Sequence, residues 1–230
     1  GKARDNVWAV NGSIYDNPYL DKAAIEEYIR TLTEDERQCR VYGIPLHLAG
    51  LVYKEFAWDK HVLKTLPHGW LGWDNPPPNY TIYYAVDTHP RTPHAVLFLA
   101  VSPLGHIFAF YDIFRHTTIA SLSADIKTVL AGRYSMAGRV EPGAWIPDPV
   151  NDTTMAQEFL RCGLNSLKAV KDLKGGILNA QRVLGADPQY FWISPHCRRT
   201  LWEIQRYAWD AESDKPIDSD DHMMENLYRL

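Results

Sequence analysis

The chain has 230 residues, of which 46% are hydrophobic and 23% charged, so it belongs to the ordinary globular class and can bury one substantial core. Its formal net charge of −4 excludes a globally basic nucleic-acid binder, and any DNA contact would need local positive charge. No apolar stretch approaches the roughly 20 residues that cross a bilayer, and residues 1–20 lack the layout of a signal peptide. We therefore expect a soluble, cytosolic protein with no membrane partner.

The first third of the chain is predicted to be helical. Residues 17–32 carry an apolar stripe at spacings of three and four, which is typical of a helix. Thr33 and Glu36 have the spacing of a capping box, which predicts a second short helix that ends near Gly43. The stripe of the first helix consists of Ile25, Tyr28, Ile29 and Leu32.

A domain boundary is predicted where the residue composition and the hydrophobic pattern of the chain change. Residues 67–79, "PHGWLGWDNPPPN", contain several prolines and glycines, which favour turns and loops. The chain before this stretch is helical in pattern, and the chain after it is rich in aromatic and β-branched residues. We therefore predict a helical extension over residues 1–66 and a second domain over residues 67–230.

The second domain is predicted to be a mixed α/β sheet flanked by helices. Three strands at 80–87, 94–102 and 106–114 are joined by short connections, so sequential antiparallel pairing is expected. Alternating helices and strands follow, as in sheets with helices on both faces. The predicted helices span 117–131, 153–163, 176–184 and 196–210, with a last helix from about Asp220, and the predicted strands span 144–148, 166–169 and 189–193.

Two aspartates come at the ends of predicted strands. Asp87 closes the first strand, and Asp148, between two prolines, closes the strand at 144–148. An acid at the carboxyl end of a strand lies at the edge where α/β sheets place their sites, so the two could converge. Either aspartate could instead be a turn-former or precede a helix cap such as Asp152.

A third acidic group opens the predicted last helix. Asp221 and Glu225 are four residues apart, so they share a face of that helix and repel each other mildly. A divalent cation would reverse the sign of that interaction, and three carboxylates with hard oxygens suit Mg²⁺ or Mn²⁺. A solvated, purely structural helix start explains the same pattern.

The order of these motifs resembles that of the nuclease domain of the large terminase subunit of tailed bacteriophages, an RNase H-like domain. The resemblance rests on "YAVD" at 84–87, "IPDPVNDTT" at 146–154, "VKDLKGGI" at 170–177, "SPHCRRTLWEIQRYAWD" at 194–210 and "KPIDSDDHMMENLYRL" at 215–230. The helical first third is similar to the stretch that joins the terminase ATPase domain to the nuclease. The resemblance covers nearly the whole chain.

The resemblance implies a catalytic metal site. Asp87, Asp148 and Glu225 would bind two Mg²⁺ or Mn²⁺ ions, with Asp221 as the alternative third ligand, and the reaction would be two-metal hydrolysis of a phosphodiester bond. Glu225 is a departure, because the family usually has aspartate at this position.

The resemblance also implies partners and a location. Double-stranded DNA would be the substrate, and the ATPase domain, the small terminase subunit and the portal would be partners, in the cytoplasm of an infected bacterial host. The chain has no GxxxxGK[ST] loop, so we expect it not to be the ATP-driven motor itself. Candidate phosphate contacts, which would be independent of sequence, are Lys168, Lys171, Lys174, Arg182 and Arg198.

Other functions remain open. The chain could be a catalytically weak module that docks on DNA or the portal, or an RNase H-like nuclease for branched DNA or an RNA–DNA hybrid. No serine or cysteine is arranged with a histidine as a nucleophile. The widely spaced Cys39, Cys162 and Cys197 form no CxxC pair, which favours free buried thiols over a zinc site.

Overall fold

The structure is a computed structural model that describes residues 13–31, 41, 50–88, 92–140, 155–170, 172–210, 213 and 215–230. Asp148 and Lys171 lie outside the described residues, as do the predicted strand at 144–148 and the capping box at Thr33 and Glu36.

After a short helical beginning, three strands follow one another, and helices and strands then alternate as far as the last strand. A 3₁₀ turn at Ile14–Asp16 precedes the first helix. The described elements are α1 (Lys22–Thr31), α2 (Trp58–His61), β1 (Thr81–Asp87), β2 (His94–Val101), β3 (Ile107–Arg115), α3 (Ile119–Leu130), β4 (Gly138–Val140), α4 (Met155–Arg161), β5 (Ser166–Lys168), α5 (Leu173–Gly185), β6 (Phe191–Ile193), α6 (Arg198–Ile204) and α7 (His222–Arg229).

The strands form one six-stranded mixed sheet in the order β5-β4-β1-β2-β3-β6. β1, β2 and β3 pair antiparallel, as their short connections predict. β4 and β5 extend the sheet in parallel beside β1, and β6 pairs in parallel with β3. The predicted mixed sheet flanked by helices is therefore confirmed.

Both faces of the sheet are covered, which explains why β2 is apolar at nearly every position. Alternate side chains of β2 point to opposite faces. Ala95, Leu97 and Leu99 pack with α5, α6 and α7, together with residues of the segment at 50–63. Val96, Phe98 and Ala100 pack with α3 and α4 on the other face. The position of the domain boundary stays a prediction.

Two elements differ from their predicted bounds for identifiable reasons. α5 begins earlier than predicted because the Asp172 side chain caps it, accepting from the Gly175 amide at 3.0 Å. The helix predicted over 196–210 is wrong in its second half, since α6 ends at Ile204. The backbone beyond it pairs elsewhere: the Val52 amide donates to the Tyr207 carbonyl at 2.8 Å, and the Trp209 amide donates to the Gly50 carbonyl at 3.0 Å.

Other predictions about burial are confirmed in part. In the predicted first helix, Ile25 and Ile29 are buried, whereas Tyr28 is exposed, so that part of the stripe is wrong. Cys162 and Cys197 are free thiols, but only Cys197 is fully buried. Within the described ranges, no helix has both the length and the apolar character needed to span a bilayer.

Gly138 has a steric reason to be glycine. A Cβ atom at this position would overlap the ring of Tyr84, which is buried and whose hydroxyl donates to the Asn165 carbonyl at 2.9 Å. The ring cannot move without breaking that bond. We expect Gly138→Ala to lower the free energy of unfolding by about 3 kcal/mol, the upper end of ordinary overpacking.

Urea unfolding of the single and double variants tests this clash. Tyr84→Ala alone should destabilise by leaving a cavity, and Gly138→Ala should cost much less in the Tyr84→Ala background. Additive costs in the double variant would show that the two residues do not collide.

Candidate active site

Asp87 lies at the carboxyl end of β1 and faces α7. The residue is only 6% exposed. Its partner across the antiparallel pair is Ala95, whose carbonyl accepts from the side-chain Nδ2 of the buried Asn226 of α7 at 3.1 Å. This bond fixes α7 across the end of β1, so the side chains of α7 reach Asp87.

Two α7 side chains contact the Asp87 carboxylate. His222 Nδ1 lies 2.7 Å from Oδ2, and Arg229 Nη1 donates to Oδ1 at 3.1 Å. Burial is the largest influence on the pKa of Asp87 and raises it, but the hydrogen bond from His222 and the charge of Arg229 outweigh burial and hold the pKa below its ordinary value. The same hydrogen bond raises the pKa of His222. Asp87 is therefore an anion at neutral pH.

Glu225 joins Asp87 through a shared cation. Arg229 Nη2 donates to Glu225 Oε2 at 2.5 Å while Nη1 contacts Asp87, so one guanidinium bridges the two carboxylates. The Tyr228 hydroxyl lies 3.4 Å from Glu225 Oε1. Asp221 occupies the position before the first residue of α7, and its side chain makes no capping bond. Burial, followed by the charge of Asp218, raises the pKa of Asp221.

The first turn of α7 is capped by a buried acid of α6. Glu203 Oε2 accepts from the amides of Met223 at 2.6 Å and Met224 at 3.3 Å, and its other oxygen accepts from Arg199 Nε. α6 is tied in turn to β3, because Asp112 accepts from the amide and the hydroxyl of Thr200, both at 2.9 Å. The sheet thus positions α6, and α6 positions the helix that carries Glu225.

The raised pKa of Glu203 should make the free energy of unfolding of the protein depend on pH. Burial raises its pKa to about 7, although the hydrogen bonds from Arg199 and the α7 amides lower it. The folded protein therefore retains a proton that the unfolded chain releases between the ordinary pKa of 4.5 and about 7. Raising the pH through this window should lower the free energy of unfolding of the wild type, relative to Glu203→Gln, by roughly 3 kcal/mol.

Urea unfolding from pH 4 to pH 8 measures this difference. Because every other group titrates in both proteins, the difference between the two profiles isolates residue 203. The exposed variant Glu27→Gln serves as the control and should follow the wild type. Parallel profiles for wild type and Glu203→Gln would contradict the assignment.

The four candidate DNA contacts that the structure describes are exposed but spread over several elements. Lys168 ends β5 and is in register with Val140, which is in register with Val86, so Lys168 lies at the same sheet edge as Asp87. Lys174 and Arg182 lie on α5, and Arg198 begins α6. Their roles stay predictions, as do those of Asp87, Glu225 and Asp221.

Sequence reasoning missed the cation that joins the site together. The sequence pattern assigns no role to Arg229, since a basic residue in the last turn of a helix is common for its effect on the helix dipole alone. The capping role of Glu203 was missed as well, since the predicted helix at 196–210 placed it in mid-helix. A usable signal existed for Arg229, which is four residues after Glu225, the spacing of an ion pair on one helix face.

The described donors are compatible with a divalent ion. Asp87 and Glu225 present hard carboxylate oxygens, and their joint contact with one guanidinium shows that both reach a single positive charge. Within the described ranges, no group of three His, Cys, Asp or Glu side chains is arranged to hold a metal. Asp148, the third carboxylate that the resemblance implies, lies outside those ranges.

The six-stranded mixed sheet flanked by helices has the RNase H-like fold. Large terminases of bacteriophages contain this fold, and the predicted resemblance is confirmed at the level of the fold. The P22 large terminase nuclease domain superposes with a TM-score of 0.63 at 11% identity, covering 79% of this chain and 90% of that one. The large terminase nuclease of thermophilic phage G20c with bound magnesium gives 0.54 at 15% identity, covering 80% and 97%.

A longer terminase also matches. The large terminase of another thermophilic bacteriophage gives a TM-score of 0.61 at 20% identity, covering 94% of this chain. This chain spans about half of that protein, 54% of its length. No family model matches the sequence, and no curated protein matches it either.

Proposed function

We propose that this chain is the nuclease domain of a large terminase subunit, a metal-dependent endonuclease that cuts concatemeric double-stranded viral DNA during genome packaging. The observation that carries the proposal is the convergence of Asp87 and Glu225 on one cation at the carboxyl edge of the sheet. The fold shared with terminase nucleases supports it, as does the magnesium bound to the G20c nuclease.

The residues of this chain would bind and orient the metal. Asp87 and Glu225 would supply carboxylate oxygens from β1 and α7, and Asp148 would supply a third group. When bound, two Mg²⁺ or Mn²⁺ ions would activate water and offset charge on the leaving 3′ oxygen. Asn226 and Glu203 hold α7 in place, and the hydrogen bond from His222 keeps the Asp87 carboxylate ionised and oriented.

DNA and the packaging partners follow from the same proposal. Lys168 lies at the same sheet edge as Asp87, where it can meet a phosphate of the duplex that is being cut. An ATPase domain of the same subunit, the small terminase subunit and the portal would be the protein partners, in the cytoplasm of the infected host.

One observation favours a docking module as a second candidate. Arg229 already forms ion pairs with both Asp87 and Glu225, as in a site that no longer needs metal. Glutamate in place of the aspartate usual at position 225 is compatible with the same interpretation.

Cleavage of defined substrates separates these functions. The chain should cut a plain duplex with Mg²⁺ or Mn²⁺, and no more slowly than a four-way junction or an RNA–DNA hybrid of the same sequence. Preference for the junction or the hybrid would reassign the substrate. DNA binding without cleavage of any substrate, by folded protein in either metal, would support the docking module instead.

A further inference from the structure

Arg229 is an unusual residue to find between two acids of a nuclease site. Its side chain is 2% exposed and bridges Asp87 and Glu225. Its Nε atom is buried and has no hydrogen-bond partner among the described residues. The two carboxylates are thus the polar anchors of the guanidinium, with the Tyr228 ring 5.7 Å away as a weaker contact.

The charge on Arg229 is fixed. A guanidinium stays protonated in proteins, and this one lies between two carboxylates. One permanent positive charge therefore lies between two buried or half-buried acids and offsets their mutual repulsion in part.

The contacts of Asp87 and Glu225 overlap with those that a metal would make. Arg229 donates to Asp87 Oδ1 and Glu225 Oε2, and His222 contacts Asp87 Oδ2. A divalent ion bound by the same two carboxylates would lie near the guanidinium, and the two positive charges would repel. The arginine that stabilises the metal-free site must therefore weaken metal binding.

We propose that Arg229 is a resident cation that holds Asp87 and Glu225 together in the metal-free protein and competes with divalent ions for them. This inference rests on the proposed function, because it assumes that these two carboxylates bind metal. Arg229 is a positioning residue in this account. It preserves the arrangement of the site without metal and raises the metal concentration at which the site fills.

The test is Mn²⁺ binding by wild type and Arg229→Met, which keeps the length and apolar stem of the side chain but removes the charge. Arg229→Met should bind Mn²⁺ more tightly by about 5- to 150-fold, the usual range for coupling between two ligands. The loss of the free-Mn²⁺ signal in electron paramagnetic resonance measures binding without reference to activity. Arg229→Lys should fall between the two proteins, since one ammonium keeps the charge but not the two-pronged bridge.

Thermal unfolding gives a second readout. In EDTA, Arg229→Met should melt at a lower temperature than wild type, and saturating Mn²⁺ should raise its melting temperature more than that of wild type. An Arg229→Met protein that is unfolded in EDTA and folds on addition of Mn²⁺ would be the same result in a stronger form. The exposed variant Arg161→Met is the control and should behave as wild type in both conditions.

Three results would overturn the inference, and they differ in what they say about the proposed function. Equal or weaker Mn²⁺ binding by Arg229→Met, with wild type binding Mn²⁺, would leave the metal site standing and make Arg229 merely structural. An Arg229→Met protein that stays unfolded even in Mn²⁺ would also make Arg229 merely structural and would leave the metal site standing. Failure of both folded proteins to bind Mn²⁺ at millimolar concentration would remove the metal site itself.

Discussion

Asp87→Asn should abolish metal-dependent DNA cleavage, with a loss of at least about 10³-fold in rate. Asparagine keeps the shape of the side chain but removes the negative charge at the end of β1, where our account places the metal. Loss of one group that stabilises charge in a hydrolytic transition state already costs about 10²–10³-fold. Loss of a carboxylate that holds the metal should cost more.

Unfolding of the variant is the main confounding effect. Asp87 is buried and contacts Arg229 and His222, so removing its charge should also lower the free energy of unfolding by about 1–3 kcal/mol. Circular dichroism at the assay temperature must therefore show a folded variant. Asp59→Asn, the same change at a side chain that is 93% exposed, is the matched control and should cut as wild type. Cleavage by folded Asp87→Asn within tenfold of wild type would place the site elsewhere.

The second large effect should distinguish the two candidate acids of the last helix. Glu225 shares Arg229 with Asp87, whereas Asp221 lies one turn earlier, at the start of α7. We expect Glu225→Gln to reduce cleavage by at least about 10²-fold, and Asp221→Asn to reduce it by less than about tenfold. Plasmid cleavage by each variant, at several Mn²⁺ concentrations, measures the difference.

The metal dependence of these variants adds a check on the assignment. If Glu225 binds metal, excess Mn²⁺ should restore part of the activity of Glu225→Gln, because a weakened site fills at higher concentration. Glu225→Asp keeps the charge on the same helical turn with a shorter side chain. A strong defect in Asp221→Asn beside a mild one in Glu225→Gln would exchange the two roles.

The sheet could be predicted from the sequence because its central strands are determined locally. "YTIYYAVD" and "HAVLFLAVS" are long and apolar, and short turns bound them, so their type and antiparallel pairing follow from the chain itself. β4 was missed because it has only three residues, Gly138–Val140, which belong to the sheet through pairing with β1 and β5. Such pairing is set by distant residues and leaves no local periodicity.

The sequence points to Asp87 and Glu225 as candidate site residues, but it does not predict the bridge that joins them. The position of Asp87 follows from its place at the end of a strand, and Glu225 follows from its resemblance to a family motif. The bridge through Arg229 depends on how α7 crosses β1, which the buried bond from Asn226 to the Ala95 carbonyl fixes. That bond joins residues 131 positions apart, and no short-range pattern contains it.

The close packing of α5 against α7 is another long-range contact that the sequence does not predict. A Cβ atom at Gly176 would lie 2.7 Å from the Tyr228 carbonyl oxygen, so glycine lets the two helices approach. The sequence predicts a helix near "KGGI" and cannot show which element needs the space. The residues on either side of Glu225 are therefore positioned by contacts with α5 and α6 that only the folded chain reveals.

The most direct test of the central claim is cleavage of supercoiled plasmid by the wild-type chain in Mn²⁺, Mg²⁺ or EDTA. We expect nicked and linear DNA with either metal, none in EDTA, and none with Asp87→Asn under any of these conditions. Cleavage that persists in EDTA, or equal cleavage by Asp87→Asn, would contradict a metal-dependent site built on Asp87. An intact plasmid with folded wild type in both metals would contradict the nuclease itself.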